Sequence, residues 1–251
     1  MTEGTGTCLR KRGPGGLALV GVIVTLAVAV TSIPILHFYQ SYWLRLRTLP
    51  AAVVHYESRH GGRWTPLNRT SGWVPKALVA TEDRTFFSNL GISFEGIGRA
   101  LLVDLHTHRF TQGGSTLTQQ LARDTLLSPA KTFRRKVSEA LLAVMMTALY
   151  SKPEILTLYL NEVYFGSGAY GIQSASRVYF GVPADRLTLP QAAMLAGLPQ
   201  APSAENPLAN FRRAKARQYQ VLESMVHDGI ISQSQAERAY RAPLAIRPSG
   251  A

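Results

Sequence analysis

A mainly α-helical domain held at a membrane by one N-terminal transmembrane helix is the fold class this sequence predicts, and three observations predict it. Leu17 to Leu36 contains no charged residue and is rich in Leu, Val, Ile and Ala, and about twenty such residues span a bilayer as a helix. From Pro75 onward apolar residues recur at helical spacing, and helix-start signals follow one another. No stretch alternates apolar and polar residues as a half-buried strand does. The 251 residues suffice for one good-sized domain with a short appendage. The expected division is a cytoplasmic N-terminus at 1–13, a transmembrane anchor at 14–38, a membrane-proximal linker at 39–74 and the working domain at 75–245.

The anchor comes first. Arg10, Lys11 and Arg12 precede the apolar run, so the positive-inside rule places the short N-terminus in the cytoplasm and the chain after residue 40 outside. Tyr39, Tyr42 and Trp43 suit the far interface. A cleaved signal peptide competes with this reading, because Ala27-Val28-Ala29 resembles a small-residue cleavage site. The apolar run continues past that site, which favours an uncleaved anchor. Under either reading the working domain is extracytoplasmic. The single cysteine, Cys8, excludes an internal disulfide framework and a cysteine metal cluster. With 27 Lys and Arg against 15 Asp and Glu, a formal charge of +12, the expected partners are acidic: phosphates, anionic lipid headgroups or nucleic acid. The extracytoplasmic address disfavours nucleic acid.

Residues 39–74 carry Trp43, Trp64, Trp73 and many arginines without a clear period, and read as a linker and entry segment near the membrane. Asn68-Arg69-Thr70 matches a glycosylation acceptor, a triplet common by chance. Pro75 fits an early helical position; Leu78, Val79, Glu82 and Phe86 then share a stripe that Gly91 closes. In the stretch Gln112 to Arg123, Gly113 and Gly114 let the backbone turn sharply or approach a ligand. Thr116 and Gln119 have the spacing of a capping box. Leu117 and Leu121 fall on one face, and Thr116, Gln120 and Arg123 on another. A helix N-terminus with hydroxyls and a cation beside it suits a phosphate or diphosphate, although an ordinary capped surface helix has the same pattern. Phe133, Val137, Leu141, Val144 and Ala148 repeat at helical spacing. Ser151 to Glu154 forms another capping box, with Pro153 in the first turn of a helix through Leu160. Thr188-Leu189-Pro190 starts a further helix, Asn210 caps a long one ending at Gly229, and Ser232 with Gln235 caps the last.

Two acids stand out. Glu82 falls on the apolar stripe of its helix, where a partly desolvated carboxylate makes a better base; pairing with Arg84 is the structural alternative. Glu139 has Arg135 and Lys136 on the same helical face, cations that favour its ionised form, with a solvated surface ion pair as the alternative. Two carboxylates in contrasting surroundings are the usual equipment for chemistry at an anomeric carbon. Arg123, Lys131, Arg134, Arg135, Lys136 and Lys152 are dense enough to hold a diphosphate. Other motifs lack their context. Gly166 to Gly171 fits Gly-x-Gly-x-x-Gly but follows a helix, and Ser128 to Lys131 fits Ser-x-x-Lys with no Lys-Thr-Gly after it. The six histidines show no metal-ligand spacing, and His106 and His108 read as loop residues.

Taken together, four stretches resemble the peptidoglycan glycosyltransferases, the transglycosylase family found alone or fused to penicillin-binding transpeptidase domains. They are Glu82-Asp83-Arg84-Thr85-Phe86 with Gly91; Gly113 through Leu121; Arg135-Lys136 with Glu139; and Ser151-Lys152 with Glu154-Ile155-Leu156, running into Tyr159-Leu160-Asn161 and Tyr164-Phe165-Gly166. Leu195 to Pro199, Pro202 and Asn206-Pro207 continue the match, which covers about residues 70 to 240. The resemblance implies a lysozyme-like glycosyltransferase domain that polymerises lipid II into β-1,4-linked glycan strands with inversion and release of undecaprenyl diphosphate. It makes Glu82 the base for the acceptor's 4-hydroxyl and Glu139 the second catalytic acid, which positions or stabilises the departing diphosphate. The substrate-binding set it carries over is Asp83, Phe86, Gly114, Ser115, Thr116, Gln119, Gln120, Arg123, Lys131, Arg135, Lys136 and Lys152. No cofactor is implied as obligatory, and a divalent cation such as Mg2+ at the diphosphate is left open.

Expected partners are lipid II, the growing glycan strand, the membrane, and a transpeptidase or other wall-synthesis protein that does the cross-linking. The implied location is the inner membrane of a bacterium, crossed once. The chain departs from the family pattern at Asn89, where His is usual, at Arg123-Asp124, where Lys-Asn is usual, and at Thr147, where an acid is common. A lysozyme-like or lytic enzyme shares the fold class and the glutamate, and a non-catalytic membrane scaffold is a third reading.

Overall fold

The computed structural model describes residues 14–96, 98, 114–130 and 132–247. The expectations on Cys8, Arg10 to Arg12, His106, His108, Gly113 and Lys131 lie outside them. The chain divides into two compact units, Met1–Leu46 and Arg47–Ala251.

The first unit is built on α1 (Pro14–Arg47), which covers the predicted anchor and continues well past it. Its apolar side chains face outward: Leu19, Val22 and Ile33 are all more than half exposed. Thr25 and Ser32 return their hydroxyls to the carbonyls of Gly21 and Val28, at 2.9 and 2.7 Å, so these polar residues sit in the helix without unmet donors. Among the described residues no helix is long and apolar enough to cross a membrane, so the expected span rests on the sequence run alone.

The second unit is helical, and among its described residues the one β feature is an isolated bridge between Tyr164 and Tyr170. Part of the stretch expected to be linker is helix α2 (Leu49–Arg59), which buries Leu49, Val53 and Glu57. The fold then continues with α3 (Trp73–Glu82), α4 (Leu117–Leu126), α5 (Phe133–Leu149), α6 (Lys152–Glu162), α7 (Ile172–Phe180), α8 (Leu189–Gly197), α9 (Phe211–His227) and α10 (Gln233–Arg241).

Two helix groups carry the core. In one, α3, α8 and α9 pack together through Ala77, Leu78, Ala192, Leu195, Val221 and Leu222, all of them buried. The alanines bring the helix axes close. At the end of α8 a side chain on Gly197 would run into the aliphatic part of Arg217, its Cβ 2.6 Å from Cγ. In the other group α4 packs on α5 and α6 through Leu117, Leu121, Leu142, Met146, Ile155 and Tyr159. Burying one such leucine is worth about 2 kcal/mol, so each group carries enough apolar surface to fix its own geometry.

The capping signals fall where the spacing places them. Thr116 and Gln119 exchange reciprocal hydrogen bonds of 3.1 and 2.9 Å at the start of α4. Capping boxes also open α6 at Ser151/Glu154, α8 at Thr188/Gln191 and α10 at Ser232/Gln235.

One further expectation needs correction. Helix α3 ends at Glu82 and the chain turns there, so Phe86 lies beyond the helix, although it is still buried. In α5 the apolar stripe that begins at Phe133 faces outward, with Phe133 85% and Val137 44% exposed. Glu139, Leu142, Ala143 and Met146 are buried instead. Both sets have helical spacing, and periodicity alone does not say which of two apolar faces finds the neighbouring helix.

Candidate active site

Glu82 is the last residue of α3, and the two helix groups meet at its carboxylate. One oxygen accepts from Gln120 of α4 at 3.0 Å. The other lies 3.2 Å from the Arg217 guanidinium of α9. The expected alternative partner, Arg84, turns away to Asp228 at 3.3 Å. Gln120 is itself oriented by the Tyr159 hydroxyl, which donates to its amide oxygen at 3.0 Å. Tyr159 is fully buried, and burial holds its hydroxyl well above the ordinary range and therefore protonated, as a donor must be.

Glu139 is arranged differently. It is 2% exposed, so the solvated ion pair that its helical position suggested is not what forms. Lys136 reaches one carboxylate oxygen at 2.7 Å, and the Arg135 guanidinium lies 3.4 Å from the other. That second oxygen has no hydrogen-bond partner. Lys136 also donates to the Ser115 hydroxyl at 2.6 Å, which ties Glu139 to the loop entering α4.

Two cavities lie beside these groups, and Glu139 lines neither. One, of about 420 Å³, is lined by Glu82, Ser115, Gln120, Arg123 and Arg217 among others. A second, of about 540 Å³, is lined by Arg123, Arg135, Asp124, Glu162, Tyr164 and Tyr170 among others. Arg123 and Pro199 line both, so the two spaces adjoin at those residues. Glu139 reaches them through its cations, Lys136 by way of Ser115 and Arg135 directly. Arg123 is engaged by its neighbour Asp124 through hydrogen bonds of 2.7 and 3.0 Å, and this pairing raises its proton affinity further.

Several residues of the expected substrate-binding set are occupied elsewhere. Thr116 and Gln119 are buried and spend their polar atoms on the cap and on the Gly91 carbonyl, 2.6 Å from the Thr116 hydroxyl. The helix start expected to receive a phosphate already faces an anion of the chain itself, since the Leu117 N–H donates to Asp83 at 3.2 Å. Asp83 also accepts from Asn89 at 3.0 and 3.2 Å and from Thr85 at 3.2 Å. Burial raises its pKa despite those bonds. Lys152 donates to Asn89 at 2.9 Å and lies over the Phe86 ring at 4.8 Å, and desolvation lowers its pKa. Phe86 is 0% exposed and belongs to the core. Asp83, Phe86 and Lys152 therefore brace the turn after Glu82. Asn89 is the hub of that brace, and Thr147 stands beside Gly91, whose φ of 93° a side chain would strain. Gly114 and Ser115 line a small cavity next to Glu82.

Arg217, Tyr159 and Glu205 were not among the residues singled out from the sequence. Arg217 stands 135 positions from Glu82 in a run of basic residues on α9, where charge alone gives no pairing. Tyr159 lay inside a matched motif without an assigned role.

A protein-family model described as Transglycosylase matches residues 50–226. A protein of Cupriavidus necator whose name places it among the transglycosylases is 43% identical over 201 residues, covering 80% of this chain and 87% of that protein. Penicillin-binding protein 1A of Aquifex aeolicus is 45% identical over 174 residues, 69% of this chain and 24% of that protein. Penicillin-binding protein 1A of Escherichia coli K12 is 48% identical over 163 residues, 65% of this chain and 19% of that protein. The chain thus spans most of the first relative and a quarter or less of the other two.

Proposed function

Because the chain belongs to the transglycosylase family, we propose that it polymerises lipid II into β-1,4-linked glycan strands, with Glu82 as the base. It carries a peptidoglycan glycosyltransferase domain of the kind found in penicillin-binding protein 1A. In this reading Glu82 takes the proton of the acceptor's 4-hydroxyl as that oxygen bonds to the anomeric carbon of the growing strand. The bond from that carbon to the diphosphate breaks, and the leaving group departs with its electrons.

Arg135 and Lys136, held by Glu139, together with Arg123 and Ser115, face the developing negative charge. Removing the proton and stabilising the leaving group each contribute several kcal/mol. The observation that carries the reading is the adjoining pair of cavities, with Glu82 at one wall and Arg123, Arg135 and the Lys136-bound Ser115 along the rest.

A divalent cation fits poorly at Glu139. Arg135 and Lys136 already hold that carboxylate, and among the described residues no group of three metal-binding side chains gathers. Cationic side chains supply the charge in this reading.

The uncharged run Leu17–Leu36 and the outward apolar side chains of α1 support a single-pass anchor in a bacterial inner membrane, with the domain outside. The exposed apolar stripe of α5 suits a lipid surface. A lysozyme-like scaffold and a partner that cross-links the strands belong to the same proposal.

Incubating the full chain with labelled lipid II, with and without chelator, tests it. Polymer is expected in both arms. Cleavage of finished sacculi without polymer reverses the assignment to a lytic enzyme, and loss of polymer with chelator adds a metal to the mechanism.

A further inference from the structure

Glu205 lies in the loop between α8 and α9, fixed by its own N–H to the Ala201 carbonyl at 2.9 Å. One carboxylate oxygen is buried with no hydrogen-bond partner, and it points at Arg217, 3.8 Å from Nε. The guanidinium is held on every side. Nε donates to the Gly197 carbonyl at 3.3 Å, Nη1 to Gln220 at 3.1 Å and Nη2 to Glu82 at 3.2 Å. One cation therefore serves two carboxylates.

We propose that Glu205 is a positioning residue for proton removal: it shares Arg217 with Glu82 and limits how far that cation neutralises the accepting carboxylate. The inference rests on Glu82 being the base.

The other charges facing Glu82 are committed elsewhere or lie further off. Arg84 pairs with Asp228 and Arg123 with Asp124. Asp83 is tied to Asn89, Thr85 and the start of α4. Tyr159 acts through Gln120, and Glu95 lines the small adjoining cavity. Among the described residues Arg217 is the cation directly on Glu82. Its division between two acids thus sets how much of the guanidinium charge faces Glu82. The coupling is visible from the other end as well. Burial raises the pKa of Glu205, Arg217 and Arg213 lower it, and the charge of Glu82 raises it.

The sign follows. Without the Glu205 charge, Arg217 serves Glu82 alone, the carboxylate is better stabilised, and it accepts a proton less readily. In lipid II polymerisation by the full chain, Glu205→Gln is expected to move the acid limb of the kcat/KM profile to lower pH by roughly half a unit or more. Its plateau rate falls as well, because a weaker base removes the proton more slowly. Glu205→Asp keeps the charge and leaves the limb where it is. An unmoved limb in a folded Glu205→Gln variant overturns the proposal. So does a limb that moves equally in Glu205→Asp. If Glu205→Gln and Glu205→Ser both melt early, the residue is a loop brace and the proposal is wrong. Glu82→Gln is run alongside: if it keeps full activity, the reading of Glu82 as base has failed, whereas its inactivity with an unmoved Glu205→Gln limb sinks the present inference alone.

Discussion

Glu82 and Glu139 have contrasting surroundings, and the proposed mechanism gives the two carboxylates different work. Glu82 ends a helix, where it meets one guanidinium and one amide at the wall of a cavity. It can be reached, and it is held by groups from two separate helix groups. Glu139 is mid-helix and buried, and its two cations come from its own α5. Its charge organises Arg135 and Lys136, which do the reaching. In the proposed mechanism the acid that exchanges a proton sits at a helix end facing a cleft, and the acid that holds cations still sits inside, one turn away from them.

Substitutions at the two acids break this comparison with the largest effects. Glu82→Gln is expected to cut polymerisation by about 10³-fold with little change in melting temperature, measured on labelled lipid II. Glu139→Gln is expected to cost about 10²-fold, since it loosens the groups that stabilise the leaving diphosphate. It should also lower stability, because Arg135 is left in place without its anion.

A smaller effect sharpens the boundary between binding and bracing. Thr116→Ala removes a cap and is expected to cost about 1–2 kcal/mol in denaturant unfolding, with activity falling only as far as folding does. A loss of activity in fully folded protein would show that Thr116 also acts on the substrate.

The smallest effect lies away from both acids, at Glu57. Burial raises its pKa from 4.5 to about 7, outweighing the Arg63 backbone N–H that lowers it. An acid whose folded pKa is raised gives stability that is fully present below 4.5 and is lost as pH rises through about 7. Melting temperature is therefore expected to fall between pH 5 and pH 8, and Glu57→Gln to flatten part of that fall. Glu162, raised to about 8 by burial and by the charges of Asp124 and Glu57, carries the trend further. An unchanged pH dependence in Glu57→Gln would remove that residue from the account.

Much of this was legible in the sequence because it is local. The capping boxes at Thr116/Gln119 and Ser151/Glu154, and the pairing of Glu139 with residues three and four positions before it, follow from helical spacing alone. What was not legible depends on distant chain segments. Nothing near Glu82 announces Arg217, and nothing in α5 says that Met146 faces inward while Phe133 faces out. The helix start of α4 looked ready for a phosphate because its hydroxyls and N–H groups could be counted. That Asp83 reaches it from 34 positions away is a tertiary fact. A motif names the residues that matter without saying which of them touch the ligand and which hold the others in place.

In the proposed mechanism proton removal and anion holding are divided between the two ends of the cleft. Binding of undecaprenyl diphosphate tests that division most directly when Glu82→Gln and Lys136→Met are compared with the unaltered chain. Glu82→Gln is expected to bind the diphosphate as the unaltered chain does, while Lys136→Met weakens binding by about tenfold or more. Equal weakening by both substitutions, or none by Lys136→Met, would contradict it.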